Sequence, residues 1–170
     1  MKTWKSHGTG TDGLHSYKAA HPKVVIEDGV RLFFPEHVAI GENVYIGHDT
    51  ILKAYFDKKL IIEEGSWIGP QCFLYAAGGI SIGKNVGVGP AVKMISSGHL
   101  NTPPNQPILK RDIQRSPIVL EDGCDIGAGS VILMGVTIGE NAQIGAGSVV
   151  TENVPPFATA VGAPARVVDL

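Results

Sequence analysis

The fold is decided by the stretch Leu120-Glu-Asp-Gly-Cys-Asp-Ile126-Gly-Ala-Gly-Ser-Val-Ile132-Leu-Met-Gly-Val-Thr-Ile138-Gly-Glu-Asn-Ala-Gln-Ile144-Gly-Ala-Gly-Ser-Val-Val150. A large aliphatic residue recurs in it every six positions, and a small or β-branched residue follows each one four positions later. The same template recurs upstream at Ile40, Ile46 and Leu52, at Ile62, Ile68 and Leu74, and at Ile82, Val88 and Met94. A strand alternates every two residues and a helix repeats every 3.6, so neither explains a sustained period of six. The period indicates a repeat architecture.

A longer period lies within the short one. Six tetrads resemble one another and end in Gly or Asn: Ile26-Glu-Asp-Gly29, Ile40-Gly-Glu-Asn43, Ile62-Glu-Glu-Gly65, Ile82-Gly-Lys-Asn85, Leu120-Glu-Asp-Gly123 and Ile138-Gly-Glu-Asn141. Because Gly and Asn tolerate a positive φ, each tetrad is expected to hold the same left-handed turn once per coil. The last two tetrads are 18 residues apart, a spacing of three hexads. The sequence therefore predicts an all-β fold with little helix, a triangular parallel β-helix of about six coils.

The composition narrows the classes of function. The chain has 170 residues, of which 22 are Gly, and a formal net charge of −2. No basic run and no long apolar stretch is present, so neither nucleic acid nor a membrane is expected as a partner. No signal-peptide pattern opens the sequence, so a cytoplasmic location is expected. Cys72 and Cys124 both occupy the small slot after an aliphatic residue and are expected to be reduced core residues.

Interruptions of the repeat indicate where a site lies. Relative to a coil of 18 residues, three coils are longer, by 4, 2 and 20 residues, and the surplus follows Leu52, Leu74 and Met94. These additions are expected to leave the β-helix at one edge, which predicts a binding site there. The organisation is then a non-repetitive segment over 1–24, a β-helix over 25–155 with a protruding loop over 99–117, and a C-terminal segment over 156–170.

His99 is the first residue of the largest addition. It follows Gly98, which still occupies the small inward slot, so one side of His99 is anchored and the other borders a loop. An imidazole that titrates near neutral pH in such a place is a candidate general base. By position alone, a histidine on a surface loop is the alternative.

Three segments resemble the galactoside and maltose O-acetyltransferases, members of the hexapeptide-repeat acyltransferase family with a left-handed β-helix fold. They are Met94-Ile-Ser-Ser-Gly-His99, Ile144-Gly-Ala-Gly-Ser-Val-Val-Thr151 and Val161-Gly-Ala-Pro-Ala-Arg166. The resemblance implies a left-handed coil and a homotrimer with sites between subunits. It also implies that His99 removes a proton from a sugar hydroxyl, which attacks the thioester of acetyl-CoA while a backbone amide stabilises the oxyanion.

The same resemblance assigns residues to the CoA groove. Ala128 and Ala146 would offer backbone groups to the pantetheine arm, and Thr151 and Arg166 would lie near the nucleotide end. Three positions depart from the pattern: Gly69 replaces an active-site asparagine, Glu152 replaces a lysine, and Asp125 replaces a tryptophan. These departures indicate an acceptor other than that of the galactoside or maltose enzymes. Asp125 either faces solvent or contacts the substrate.

Residues in and beside the additions, at the edge where these leave the β-helix, are candidates for acceptor binding. Tyr55, Tyr75 and Asn101 could hold a sugar, and Arg111 a nucleotide diphosphate, although each is also an ordinary type of solvated loop residue. The sequence thus predicts O-acetylation of a saccharide or related small acceptor. The alternatives are N-acetylation of an amino sugar, free or nucleotide-linked, a non-catalytic scaffold, or a zinc enzyme like the γ-class carbonic anhydrases. The last would need His37, His48 and His99 at a ligand spacing that they do not have, so no metal is expected.

Overall fold

A computed structural model describes residues 6–55 and 57–169. Residues 1–5 and 170, in the predicted terminal segments, and residue 56, in the predicted β-helix, lie outside the described residues. One short helix, α1 (Leu14–Ala20), precedes the strands. The strands, in chain order, are β1 (Val25–Ile26), β2 (Arg31–Phe33), β3 (Val38–Ile40), β4 (Tyr45–Ile46), β5 (Ile51–Lys53), β6 (Leu60–Ile62), β7 (Trp67–Ile68), β8 (Phe73–Tyr75), β9 (Ile80–Ile82), β10 (Gly87–Val88), β11 (Lys93–Ile95), β12 (Ser97–His99), β13 (Ile113–Arg115), β14 (Ile118–Leu120), β15 (Asp125–Ile126), β16 (Val131–Leu133), β17 (Thr137–Ile138), β18 (Gln143–Ile144), β19 (Val149–Val150), β20 (Thr159–Gly162) and β21 (Ala165–Val168). Two 3₁₀ turns cover Pro35–His37 and Ile108–Lys110.

Three sheets form the faces of a triangular prism. Sheet A has the order β1-β4-β7-β10-β15-β18-β20-β21, sheet B the order β2-β5-β8-β11-β16-β19, and sheet C the order β3-β6-β9-β14-β17. Pairing is parallel in all three, except that β21 returns antiparallel to β20. Because the chain visits A, B and C in turn, it winds as a triangular parallel β-helix, as predicted. Its hand is left, as the resemblance implies.

The described part of sheet A contains seven parallel strands, so the β-helix has about seven coils rather than six. Counting tetrads does not find the last coil. Its turn, Val154-Pro-Pro-Phe157, ends in Phe, whereas the six tetrads end in Gly or Asn. Phe157 adopts the left-handed conformation with φ 62° in spite of its side chain. The tetrad that ends at Gly29 also lies at the corner from A to B, whereas the other five lie at the corner from C to A. The 14 residues from Ile26 to Ile40, which by tetrad spacing alone predict a short coil, therefore join two different corners and are not the length of a coil.

The corner from C to A alternates Asn and Gly. Asn85, with φ 53°, leans its amide over Gly65, the equivalent residue of the preceding coil, and a Cβ at Gly65 would collide with that amide oxygen. Asn141 covers Gly123 in the same way. The positive φ predicted for the tetrads is confirmed, and the stacking explains why Gly occurs under these two Asn residues.

The inside of the prism is filled by the aliphatic residues that the hexad pattern selected. They are almost fully buried: Leu120, Ile126, Ile132, Ile138, Ile144 and Val150, with their counterparts in the earlier coils. Cys72 and Cys124 are buried free thiols, and burial raises their pKa to about 11 and about 12, so both stay protonated. The described part of the chain has no helix with the length and hydrophobicity that crossing a membrane requires.

The additions leave the prism at one edge, as predicted. They follow β5, β8 and β11, and all three therefore lie at the corner between sheets B and C. The largest one begins as an antiparallel hairpin of β12 and β13 rather than as an irregular loop. At the N-terminal end of the prism, α1 packs through the buried Tyr17, whose hydroxyl donates to the Val38 carbonyl at 3.2 Å.

Candidate active site

His99 ends strand β12 and is held by hairpin pairing. It lies opposite Ile113 in the antiparallel register of β12 and β13. Just beyond it, the Leu100 N–H donates to the Asp112 carbonyl at 2.9 Å, so backbone pairing continues past the histidine. The backbone of His99 is therefore fixed on both sides, which places a catalytic candidate on a defined element.

The imidazole of His99 is half-buried and has one hydrogen-bond partner among the residues that the structure describes. Its Nδ1 lies 3.3 Å from the backbone carbonyl oxygen of Arg111. A carbonyl oxygen only accepts hydrogen bonds, so Nδ1 must carry the hydrogen in this contact. The neutral ring then keeps its lone pair on Nε2, and this is the tautomer that a general base needs.

Arg111 holds the loop whose backbone orients His99. Its Nε donates to the Gln106 carbonyl at 2.9 Å, one Nη donates to the Pro104 carbonyl at 3.0 Å, and the other to the Asn101 side chain at 3.3 Å. Sequence analysis assigned Arg111 and Asn101 to the acceptor, and the structure brings them together within the loop. Their guanidinium and amide groups brace the turn that presents the Arg111 carbonyl to His99.

The two ends of the hairpin are closed around Gly78. The buried Ser96 Oγ donates to the Tyr75 carbonyl at 2.7 Å and accepts from the Gly78 N–H at 2.8 Å, while the Ser116 N–H donates to the Ser96 carbonyl at 3.2 Å. An ideal Cβ on Gly78 would lie 2.7 Å from both the N and the O of Ser116. The absence of a side chain at residue 78 therefore lets both ends of the hairpin pack against the neighbouring coil.

Tyr55 and Tyr75 meet on the same edge, one coil apart. The Tyr55 hydroxyl donates to the Tyr75 hydroxyl at 2.6 Å, and the rings pack edge to face at 5.4 Å between centroids. Burial, followed by the bond to Tyr75, raises the pKa of Tyr55, so this phenol stays protonated. Beside them Arg115 of β13 pairs with Asp57 of the addition after β5 at 3.4 Å, which ties two additions together.

The sequence pattern does not single out Lys53, which lies at this edge. Its ammonium lies 5.1 Å from the ring centroid of Phe33 and 5.8 Å from those of Tyr55 and Tyr75. The sequence contains a signal, since Lys53 and Tyr55 are two positions apart and residues so spaced on a strand share a face. Ser96 and Gly78 are not singled out either, because their contacts join segments about 20 residues apart.

The residues assigned to CoA lie elsewhere on the prism. Ala128 and Ala146 sit exposed at the corner from A to B in successive coils, and among the described residues their N–H groups have no acceptor. Thr151 is exposed just after β19, and Arg166 lies on β21, where an Nη is 3.7 Å from a carboxylate oxygen of Glu152. A single chain does not bring these groups together with His99 at one corner.

Asp125 lies on the outer face of sheet A. It is exposed, and its carboxylate covers Gly87 of the preceding coil, with Oδ1 2.5 Å from where a Cβ on Gly87 would be. Sheet A is the face opposite the corner between B and C, so within one chain Asp125 and His99 lie on different sides of the prism.

The three histidines considered for a metal are separate. The Nε2 of His37 lies 3.9 Å from a carboxylate oxygen of Glu36, and the Nε2 of His48 lies 3.6 Å from one of Glu27. His99 contacts the Arg111 carbonyl instead. Over residues 6–55 and 57–169, no three side chains among His, Cys, Asp and Glu are grouped to hold a metal ion.

Comparison with known proteins gives the family. The model of the family "Hexapeptide repeat of succinyl-transferase" matches residues 117–152. The galactoside O-acetyltransferase of Escherichia coli is 40% identical over 156 residues, an alignment that covers 91% of this chain and 74% of that enzyme. The chain belongs to the hexapeptide-repeat acetyltransferase family. A putative acetyltransferase of Schizosaccharomyces pombe is 43% identical over 88 residues, which cover 51% of this chain and 41% of that protein. The chain thus spans less than half of some of its curated relatives in the hexapeptide-repeat family.

Solved structures of acyltransferases share the fold. The N-acyltransferase AntD from Bacillus cereus, in complex with dTDP and 3-hydroxybutyryl-CoA, superposes with a TM-score of 0.73 at 24% identity, covering 91% of this chain and 86% of its own. A hexapeptide-repeat acetyltransferase from Vibrio cholerae, complexed with acetyl-CoA, gives a TM-score of 0.57 at 20% identity, covering 94% and 76%. At these identities the likeness establishes the fold alone.

Proposed function

We propose that this protein transfers an acetyl group from acetyl-CoA to a hydroxyl of a saccharide or related small acceptor, with His99 as general base. The observation that carries the proposal is the contact of His99 Nδ1 with the Arg111 carbonyl, since it directs the lone pair of Nε2 outward. Nε2 takes the proton of the acceptor hydroxyl as its oxygen bonds to the acetyl carbon. The bond from that carbon to sulfur then breaks, and the thiolate of CoA takes up the proton from His99.

The groove proposed for acetyl-CoA begins at the corner from A to B. The N–H groups of Ala128 and Ala146, which have no acceptor among the described residues, suit the amide carbonyls of a pantetheine arm. Thr151 and Arg166 are proposed for the nucleotide end, where a permanently charged guanidinium suits a phosphate. Acetyl-CoA supplies the activated thioester, and the chain itself supplies the base and the binding groups.

A homotrimer is part of the proposal. His99 and Ala128 lie at different corners of one prism, so a site that uses both is completed when a second subunit places one corner against the other. We expect a particle of about three times 17.9 kDa in solution, measured by light scattering after size exclusion. A monomer with full activity would contradict this assembly. The cytoplasm is the proposed location, in keeping with two buried thiols that remain reduced.

N-acetylation of an amino sugar, free or nucleotide-linked, is the second candidate. The observation in favour of its nucleotide-linked form is the positive charge of Lys53 beside Tyr55, which suits a phosphate-bearing acceptor.

The deciding experiment follows thiol release from acetyl-CoA against a panel of sugars, amino sugars and nucleotide sugars. We expect turnover of at least one acceptor and a rise in melting temperature on addition of CoA, since a ligand that binds the folded state stabilises it. A chain that turns over no acceptor and gains no stability from CoA would instead be a scaffold.

A further inference from the structure

Lys53 lies on the outer face of sheet B, inside a group of aromatic rings. Its neighbours in register are Phe33 on the preceding coil and Tyr75 on the next. The rings of Phe33, Tyr55 and Tyr75 all lie within 6 Å of its ammonium, a distance typical of cation–π contact. The side chain is thereby held in one place rather than extended into water.

The charge of Lys53 lacks a partner of opposite sign. Among residues 6–55 and 57–169, no carboxylate oxygen lies within 4 Å of its Nζ. Asp57, the acidic residue of the same addition, is paired with Arg115 instead. The side chain is half-buried, and this burial lowers the pKa of Lys53, as expected for a cation that has lost water without gaining an anion.

A hydroxyl donor lies beside this cation. Tyr55 donates its hydrogen to the Tyr75 oxygen, and the hydrogen of Tyr75 itself has no acceptor among the described residues. One ammonium and one free O–H, enclosed by aromatic rings, are the groups that a carboxylate or phosphate oxygen needs. The rings also offer faces to the C–H groups of a sugar.

The group is joined directly to the structure that carries His99. The Tyr75 carbonyl accepts hydrogen bonds from the N–H of Ser96 at 3.1 Å and from its Oγ at 2.7 Å. Ser96 directly precedes strand β12, at whose end His99 lies. The aromatic group is therefore on the same edge as the proposed base, on the coils that precede it.

We propose that Lys53, Tyr55 and Tyr75 form an anion-binding subsite for the acceptor. The acceptor is then a sugar that carries a carboxylate or phosphate. This rests on the proposed function, since it names the class of acceptor for the same site. The anion contacts the Lys53 ammonium and the Tyr75 hydroxyl, and the sugar ring extends along the edge toward His99.

The test compares two pairs of probes that differ in one charged group: galacturonate with galactose, and glucosamine 6-phosphate with glucosamine. Binding to the full chain in the presence of CoA is measured by calorimetry. We expect at least one charged probe to bind about tenfold more tightly than its neutral partner, in line with one charge-assisted hydrogen bond. The two pairs separate a carboxylate from a phosphate ligand.

Substitutions assign the preference to Lys53. Lys53→Met and Lys53→Gln should remove it, Lys53→Arg should retain most of it, and Lys93→Met, at an exposed lysine of the same sheet, should leave it unchanged. Circular dichroism and the melting temperature check that each variant is folded.

The outcomes separate this subsite from the activity. A charge preference that disappears in Lys53→Met supports the subsite even if no probe is acetylated, in which case the acetyl-transfer proposal alone fails. Equal binding of charged and neutral probes to the unaltered chain, or a preference that survives in both Lys53→Met and Lys53→Gln, overturns the subsite even if acetylation is observed.

Discussion

His99→Ala should lower kcat for acetyl transfer to a hydroxyl by about 10²- to 10⁴-fold, the usual contribution of a general base. The imidazole is held by the Arg111 carbonyl at Nδ1, so the variant loses a positioned acceptor of the hydroxyl proton. Because His99 is half-buried at the end of a hairpin strand, its removal should not unfold the β-helix. The measurement is the initial rate of thiol release at saturating acetyl-CoA.

The matched control is His15→Ala, at an exposed histidine of α1 at the N-terminal end of the prism, which should retain the rate of the unaltered chain. Calorimetry should show CoA binding to both variants with unchanged affinity. An amine acceptor can lose its proton after attack, so the same substitution should reduce N-transfer much less. A His99→Ala variant that transfers acetyl groups to hydroxyls at the original rate would remove His99 from the mechanism.

Gly78→Ala should cost both stability and activity. Its new Cβ would collide with backbone atoms of Ser96 and Ser116, at the two ends of the hairpin, and backbone cannot give way as a side chain can. We expect a loss of about 1–3 kcal/mol in the free energy of unfolding, the range for overpacked interiors. If the hairpin moves by about 1 Å, kcat should fall by about 10²-fold, because catalytic geometry tolerates little displacement.

Urea unfolding and thiol-release kinetics measure the two effects. Gly98→Ala is the control for stability, because its nearest neighbour would be the methyl group of Met134 at 3.6 Å, an ordinary contact. If Gly78→Ala unfolds at the same urea concentration as the unaltered chain and keeps its kcat, the close packing at residue 78 does not hold the hairpin.

Most of the architecture could be predicted because it depends on a local rule repeated many times. Each hexad places one aliphatic residue inside, so residues such as Ile126 and Ile144 were identified without knowing their neighbours. The single edge of the additions followed from the same counting. Two details escaped it. The last coil turns at Phe157, a residue not expected to adopt a positive φ, and Gly29 belongs to a different corner, where the local signature of the turn is the same.

The site was harder to predict because its contacts are not local. The position of His99 followed from the end of the repeat. The group that orients it is a backbone carbonyl 12 residues away, and because every residue has such a carbonyl, the sequence does not show which one is used. The prediction that Arg111 binds the substrate rests on its charge and its place in a loop. Its bonds to carbonyls of that loop depend on turns that only the folded chain defines.

The alternation of Asn and Gly in successive coils at the corner from C to A limits how such a chain can gain or lose coils. In their present rotamers, the amides of Asn85 and Asn141 each occupy the space that a Cβ on the residue beneath would need. Removing only the coil that carries Gly123 would place Asn141 over Asn85, where its amide would meet a Cβ. At this corner the loss or gain of a single coil would therefore require one amide to turn aside, whereas the loss or gain of a pair of coils would keep the order of Asn and Gly.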